Sequence, residues 1–261
     1  VGELGSEIVA ALDGNNVIRD LSDHIKDLNP QTINEETLNK LKRIKLSELK
    51  EINSNIRIGA CISNPVDFLA IGLNYKAHAE GTKSKLPTEP IVFNKSSGCI
   101  QGPNDRITKP KLANKMDYEV EIGMIIGREG KNIKEEDAQD YIFGYCIVND
   151  ISERSWQKER GGQWIKGKSI AGPIGPYLVT KEEIKNLNNI NLTLDVNGNR
   201  RQTGNTERMI FNFNFLVSHL SQFMTLYPGT IITTGTPAGT AMEMEKPEFL
   251  KAGDKLHLKV D

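Results

Sequence analysis

Between residues 117 and 127 the chain reads DYEVEIGMIIG. Val120, Ile122, Met124 and Ile126 alternate with Glu119, Glu121 and Gly123, the period of two that marks a β-strand with an apolar face. Glu119 and Glu121 then share one side, with Cα atoms roughly 6.5 Å apart. Two like charges so placed repel, and burial makes both costly. The pattern has two readings: a solvent-facing row on an edge strand, or a pair of ligands for a divalent cation. Further apolar runs predict strands at 66–72, 91–94 and 142–148, and alternation predicts them at 191–197 and 254–260. TIITTGTP reads as a strand running into a tight turn at Thr234, Gly235, Thr236 and Pro237, and Asn197-Gly198 is a hairpin signal.

The first 20 residues read as two strands, SEIVAAL and NVIRDL, joined by a turn at Asp13-Gly14-Asn15-Asn16. Asn34 is placed to cap a helix from Glu35 to about Ile52, with Leu38, Leu41, Ile44 and Leu49 as an imperfect apolar stripe. Residues 134–141 suit a short helix and 211–226 a largely buried one, with His219 packed in the core. Turn residues cluster at Ser63-Asn64-Pro65. The expected organisation is α+β, with a small N-terminal α+β domain over 1–63 and a larger domain over 64–261.

The chain of 261 residues has a net charge of −1, which favours neither nucleic acid nor an anionic membrane as a partner. No apolar run approaches the roughly 18 residues of a membrane helix. Three scattered cysteines, Cys61, Cys99 and Cys146, form no zinc or disulfide framework and suit a reducing cytoplasm. The chain opens on Val1 and stops within KLHLKVD, so trimmed ends are expected.

Candidate chemistry gathers at strand ends. The apolar run 142–148 ends at Asn149-Asp150, and a carboxylate where a buried strand surfaces is a candidate ligand or a helix cap. Glu119, Glu121 and Asp150 have no histidine or cysteine beside them. All-oxygen ligation favours Mg²⁺, with Mn²⁺ or Ca²⁺ possible, and leaves positions open for a bidentate oxygen substrate. His78 lies in a polar segment after a strand, as a solvated loop residue or a general base on a lid. GGQWIKGKS matches a phosphate-loop pattern, but no strand precedes it, and Pro173 and Pro176 bar a helix after it.

IGLNYKAHAE, DYEVEIG, YCIVNDISERSWQ, ERGGQW, GKS and TGTPAG together resemble the fumarylacetoacetate hydrolase family, from about Ser63 to Asp254. ISNPVDFLAIGLNY, VFNKSSGCIQGPND and LKAGD are similar to its acylpyruvate and 2,4-diketo-3-deoxy-sugar-acid hydrolase branch. The resemblance implies a mixed β-sandwich roll in the C-terminal part and a homodimer. It implies Mg²⁺ or Mn²⁺ on Glu119, Glu121 and Asp150, with Lys168 beside metal and substrate. Arg154, Gln157 and Thr236 would surround a small keto-acid substrate, and His78 would be the general base. The expected reaction is hydrolysis of a carbon–carbon bond in a 2,4-diketo acid, giving pyruvate and a carboxylic acid. Oxaloacetate decarboxylation, 2-hydroxymuconate-type isomerisation and simple keto-acid binding stay open, because one metal cradle serves them all.

Two departures stand out. The family's hydrolases usually carry a glutamate three residues after the lid histidine, where this chain has Gly81. Glu80 is the nearest carboxylate and so the expected partner of His78, although two residues along a helix it faces away. The stretch after Lys168 is also shorter than usual and lacks the Asp-Thr-Phe often found there.

Overall fold

A computed structural model describes residues 1–261. Near the N-terminus, β1 (Ala10–Leu12), β2 (Ile18–Asp20) and β3 (Glu51–Ile52) form a small antiparallel sheet. Asp13 closes the turn between the first two, accepting from the backbone N–H groups of Asn15 and Val17. Asn34 caps α1 (Glu35–Lys42) by accepting from Thr37 N at 2.9 Å. The helix is shorter than its apolar stripe suggests. It stops at Lys42, a 3₁₀ turn follows at Leu46–Glu48, and residues 51 and 52 pair with β2. The sheet edge captures backbone that local periodicity had assigned to the helix.

The body of the molecule is a mixed six-stranded sheet. Its strands are β4 (Phe68–Gly72), β5 (Ile91–Asn94), β6 (Val120–Ile126), β7 (Ile142–Asn149), β8 (Val179–Thr180) and, after a second sheet in the chain, Ile231–Thr233. The second, antiparallel sheet contains β9 (Asn191–Val196), β10 (Asn199–Asn205) and a last strand, Leu256–Val260. With Ile231–Thr233 as β11 and Leu256–Val260 as β12, the orders are β8-β7-β6-β11-β4-β5 and β10-β9-β12. The β9–β10 hairpin turns at Asn197 (φ 53°) and Gly198 (φ 79°), both left-handed as the Asn-Gly signal requires.

β6 is central, between β7 and β11, so Glu119 and Glu121 do not form a solvent-facing row on an edge. All seven residues of β6 are buried because both sheet faces are covered. On one face Val120, Ile122, Met124 and Ile126 pack with Leu192 and Leu194 of β9 and with Phe213, Leu216, Val217 and Leu220 of α4 (Phe213–Phe223). On the other face Ile125, Cys146, Val148 and Ile231 pack with Phe68 and with Ile33 and Ile62 from the N-terminal segment. Gly123 lets β6 and β7 come together here, since a Cβ at that position would lie 2.7 Å from Val148 Cγ2. His219 is not in the core. It is half-buried on the outer side of α4, stacked on Phe215 with centroids 5.7 Å apart. No helix is long and apolar enough to cross a membrane.

Candidate active site

The carboxylates lie on the face that carries Ile125 and Val148, at the strand ends where this apolar packing stops. Glu119 immediately precedes β6 and Glu121 is its second residue. Val120 pairs with Asn149, so β7 delivers Asp150 beside Glu119, and Asp150 N donates to Glu119 O at 2.9 Å. Carboxylate oxygens of the three residues lie within 4.8 Å of one another, and none of the residues is more than 3% exposed.

Three cations offset this buried charge. Lys168, at the end of α3 (Trp164–Lys168), donates to Glu119 Oε2 at 2.6 Å and to Asp150 Oδ2 at 3.0 Å. Arg154 Nη2 donates to Glu119 Oε1 at 2.6 Å. Lys95 Nζ, fully buried, donates to Asp150 Oδ1 at 2.6 Å and to the carbonyls of Lys168 and Ala171. Lys95 thus ties down the short stretch after Lys168. Glu121 accepts from Gly235 N at 2.9 Å but has no cation of its own.

The carboxyl groups therefore diverge. Burial opposes ionisation of Glu119, but Arg154 and Lys168 outweigh it and hold that carboxyl well below the usual range. Burial, then the charges of Asp150 and Glu119, push Glu121 well above it. The Lys168 ammonium is favoured because Asp150 and Glu119 overcome the cost of its burial. Buried carboxylates at this spacing, one lacking a counter-charge, are a donor set suited to a hard divalent cation.

His78 lies on the short helix α2 (Lys76–Gly81) and is 5% exposed. With Glu119, Glu121, Lys168 and Trp164 it lines one cleft. Its Nδ1 lies 2.6 Å from Glu243 Oε1. Burial opposes ionisation of Glu243, but its hydrogen bond to His78 and the neighbouring donors lower its pKa overall. Nδ1 accordingly carries the proton, leaving Nε2 as the basic nitrogen.

The structure does not bring Glu80 to His78. Its side chain is 62% exposed and lies 3.8 Å from Lys76, because two positions along a helix point apart. Glu243 stands in its place, on a 3₁₀ turn at Ala241–Glu243. It reaches back to Thr240 N at 3.2 Å and Thr240 Oγ1 at 2.7 Å, and accepts from Gly239 N at 3.3 Å. A Cβ on Gly81 would fall onto the Glu243 carboxylate, with Cδ 3.0 Å away. The small residue at 81 and the glutamate at 243 are spatial complements. The pattern T-x-x-E at Thr240–Glu243 is a capping-box signal visible in the sequence, although nothing in it points to His78.

Among the substrate candidates, Arg154 is engaged on every nitrogen. Nε donates to Asp117 Oδ2 at 2.8 Å and Nη1 to Gln157 Oε1 at 3.1 Å, beside the Nη2 bond to Glu119. The Thr236 hydroxyl donates to Val120 O at 3.0 Å and accepts from Gln202 at 2.8 Å. Both residues line the cleft together with Gln157. The phosphate-loop match over 162–169 contains α3, a helix of only five residues, and is followed by the two-residue strand Gly172–Pro173. It lacks the strand–loop–long-helix frame of a nucleotide site.

A mixed double-layer sheet with a buried three-carboxylate cluster at its strand ends defines a class, and comparison with known proteins gives the family. Residues 67–261 match the fumarylacetoacetate (FAA) hydrolase C-terminal family. The chain belongs to the fumarylacetoacetate hydrolase family. A Burkholderia ambifaria protein, assigned only provisionally to the hydrolases, is 47% identical over the whole chain and 93% of its own length. A fumarylacetoacetate hydrolase from Exiguobacterium antarcticum superposes with a TM-score of 0.86 at 27% identity, covering 100% of this chain and 93% of that one. A 5-carboxymethyl-2-hydroxymuconate delta-isomerase from Mycobacterium smegmatis gives 0.74 at 27% identity, covering 97% and 90%.

Proposed function

We propose that this chain is a divalent-metal-dependent hydrolase that cleaves the carbon–carbon bond of a 2,4-diketo acid, an acylpyruvate or a 2,4-diketo-3-deoxy-sugar acid. The products are pyruvate and a carboxylic acid. The observation that carries the reading is the His78–Glu243 pair at 2.6 Å, whose histidine lines the same cleft as Glu119 and Glu121. Hydrolysis needs a base for water, and decarboxylation of oxaloacetate does not.

Glu119, Glu121 and Asp150 would hold Mg²⁺, with Mn²⁺ as a substitute. Such an ion supplies positive charge to a chelating α-keto carboxylate and to the enolate that develops from it. His78 Nε2 takes a proton from water, and the resulting hydroxide adds to the distal carbonyl carbon. Glu243 holds the imidazole in the required tautomer and stabilises the imidazolium. As the carbon–carbon bond breaks, its electron pair passes to the pyruvate side, where the Lys168 ammonium offsets the growing charge. The proton stored on His78 then goes to the pyruvate methylene, and the other fragment leaves as a carboxylic acid. Arg154, Gln157 and Thr236 shape the pocket wall.

A second reading, isomerisation of a 2-hydroxymuconate-type diacid, is favoured by the likeness to the isomerase from M. smegmatis. There the same base would shuttle a proton between carbons with no water consumed. Pyruvate release from a panel of 2,4-diketo acids and oxaloacetate, read with lactate dehydrogenase with Mg²⁺ or EDTA, separates the readings. Magnesium-dependent pyruvate from a diketo acid establishes the hydrolase. Pyruvate from oxaloacetate alone, above the rate of free metal, moves the assignment to a decarboxylase, and none from either favours the isomerase. A homodimer in the cytoplasm completes the proposal, and light scattering measures the first part.

A further inference from the structure

Asp117 is fully buried and enters none of the steps above. Its carboxylate gathers donors from two functional parts of the molecule. Oδ2 accepts from Arg154 Nε at 2.8 Å and from Met242 N at 3.2 Å. Oδ1 accepts from Ala241 N at 2.8 Å and from its neighbour Tyr118 N at 2.9 Å. Arg154 in turn grips Glu119. Ala241 and Met242 open the 3₁₀ turn whose third residue is Glu243. An unbroken path therefore runs from a carboxylate of the metal cluster to His78, through Arg154, Asp117, the 241–243 turn and Glu243.

Resting on the reading of His78 as base, we infer that Asp117 is a positioning residue that sets Glu243 against His78 and locks that pair to the carboxylate cluster. The physical reason is the short turn. A single 3₁₀ turn has too few internal hydrogen bonds to hold its own orientation, and an anion on its first two N–H groups fixes it. Glu243 approaches His78 from 165 residues away in the chain, so the placement of this turn decides whether the pair forms. Sharing Asp117 with Arg154 means that the turn and the Glu119 side of the cluster cannot move independently.

Two variants test this. Asp117→Asn removes the charge and costs stability, because Arg154 loses an ion-pair partner. Ala241→Pro deletes the Ala241 N–H and sets a ring carbon against Asp117 Oδ1, so it uncouples the turn from Asp117 with the Asp117 charge kept. Proline suits this first helical position, and Thr240 before it has extended backbone (φ −66°, ψ 157°). Each variant should lower kcat about 10- to 100-fold with Mg²⁺ affinity unchanged in Ala241→Pro. In the background of Glu243→Gln, neither should lower kcat further, because the path acts through Glu243. The low-field His78 Nδ1 proton resonance, read by NMR without any substrate, should be lost in both. Retention of that resonance in Ala241→Pro, or an undiminished drop in the Glu243→Gln background, would overturn the inference. If the wild-type chain cleaves no diketo acid, the hydrolase reading fails while the resonance still decides the role of Asp117.

Discussion

The carboxylate end of the pocket and the histidine end are assembled from different parts of the chain. Glu119, Glu121 and Asp150 come from two neighbouring strands and sit on the main β-sheet. Their backbone is held by the ladder, and the side chains of Glu119 and Asp150 by three buried cations. His78 and Glu243 come from a six-residue helix and a three-residue turn, 165 residues apart. One end is rigid by sheet pairing. The other depends on a few side-chain contacts between short elements. The proposed metal site thus rests on ladder-paired strands, and the proposed base rests on short elements held by side-chain contacts.

If that contrast is right, damage at the two ends should look different. Glu119→Gln should have the largest effect. It leaves Arg154 and Lys168 short of a buried partner, at a cost of about 3–5 kcal/mol. Activity should vanish and Mg²⁺ binding weaken sharply; calorimetry showing unchanged Mg²⁺ affinity would contradict the ligand assignment.

His78→Ala should lower kcat by about 10²–10⁴-fold with Mg²⁺ affinity kept, which steady-state rates beside a metal titration would show. An unchanged rate would remove His78 from the mechanism.

Gly81→Ala should cost less, about 10- to 100-fold in kcat, because its methyl displaces the Glu243 carboxylate. A thermal melt close to wild type would place that loss at the base rather than in the fold.

The smallest effect is on pH dependence. Glu121 keeps its proton above the ordinary carboxyl range because burial, Asp150 and Glu119 oppose its charge. A cation must displace that proton, so Mg²⁺ affinity should rise with pH through this elevated range. Calorimetry in buffers of different ionisation heat should detect proton release on binding, and none would contradict the account.

The two ends also differed in how far the sequence revealed them. The period of two at Val120–Ile126 and the apolar run before Asp150 place three carboxylates at strand ends, because strand geometry is local. The β9–β10 hairpin was legible for the same reason. The partner of His78 was not. Glu80 is near in sequence, but the helix turns it outward, and Glu243 becomes a neighbour only when the chain after β11 folds back over α2. Lys95 gave no signal either, since its partners are Asp150 and two backbone carbonyls far along the chain. α1 is shorter than its apolar stripe predicts, because the stripe runs on toward residues that instead pair as β3. His219 sits in an apolar stretch, yet the outer row of α4 carries it out of the core.

The central claim is that a hydrolytic base at His78 is oriented by Glu243 and not by Glu80. Its most direct test is the rate of pyruvate release from a 2,4-diketo acid at saturating Mg²⁺, compared across wild type, Glu243→Gln and Glu80→Gln. The account predicts a fall of about 10²-fold or more for Glu243→Gln and a wild-type rate for Glu80→Gln. A wild-type rate for Glu243→Gln, or a collapse for Glu80→Gln, would contradict it.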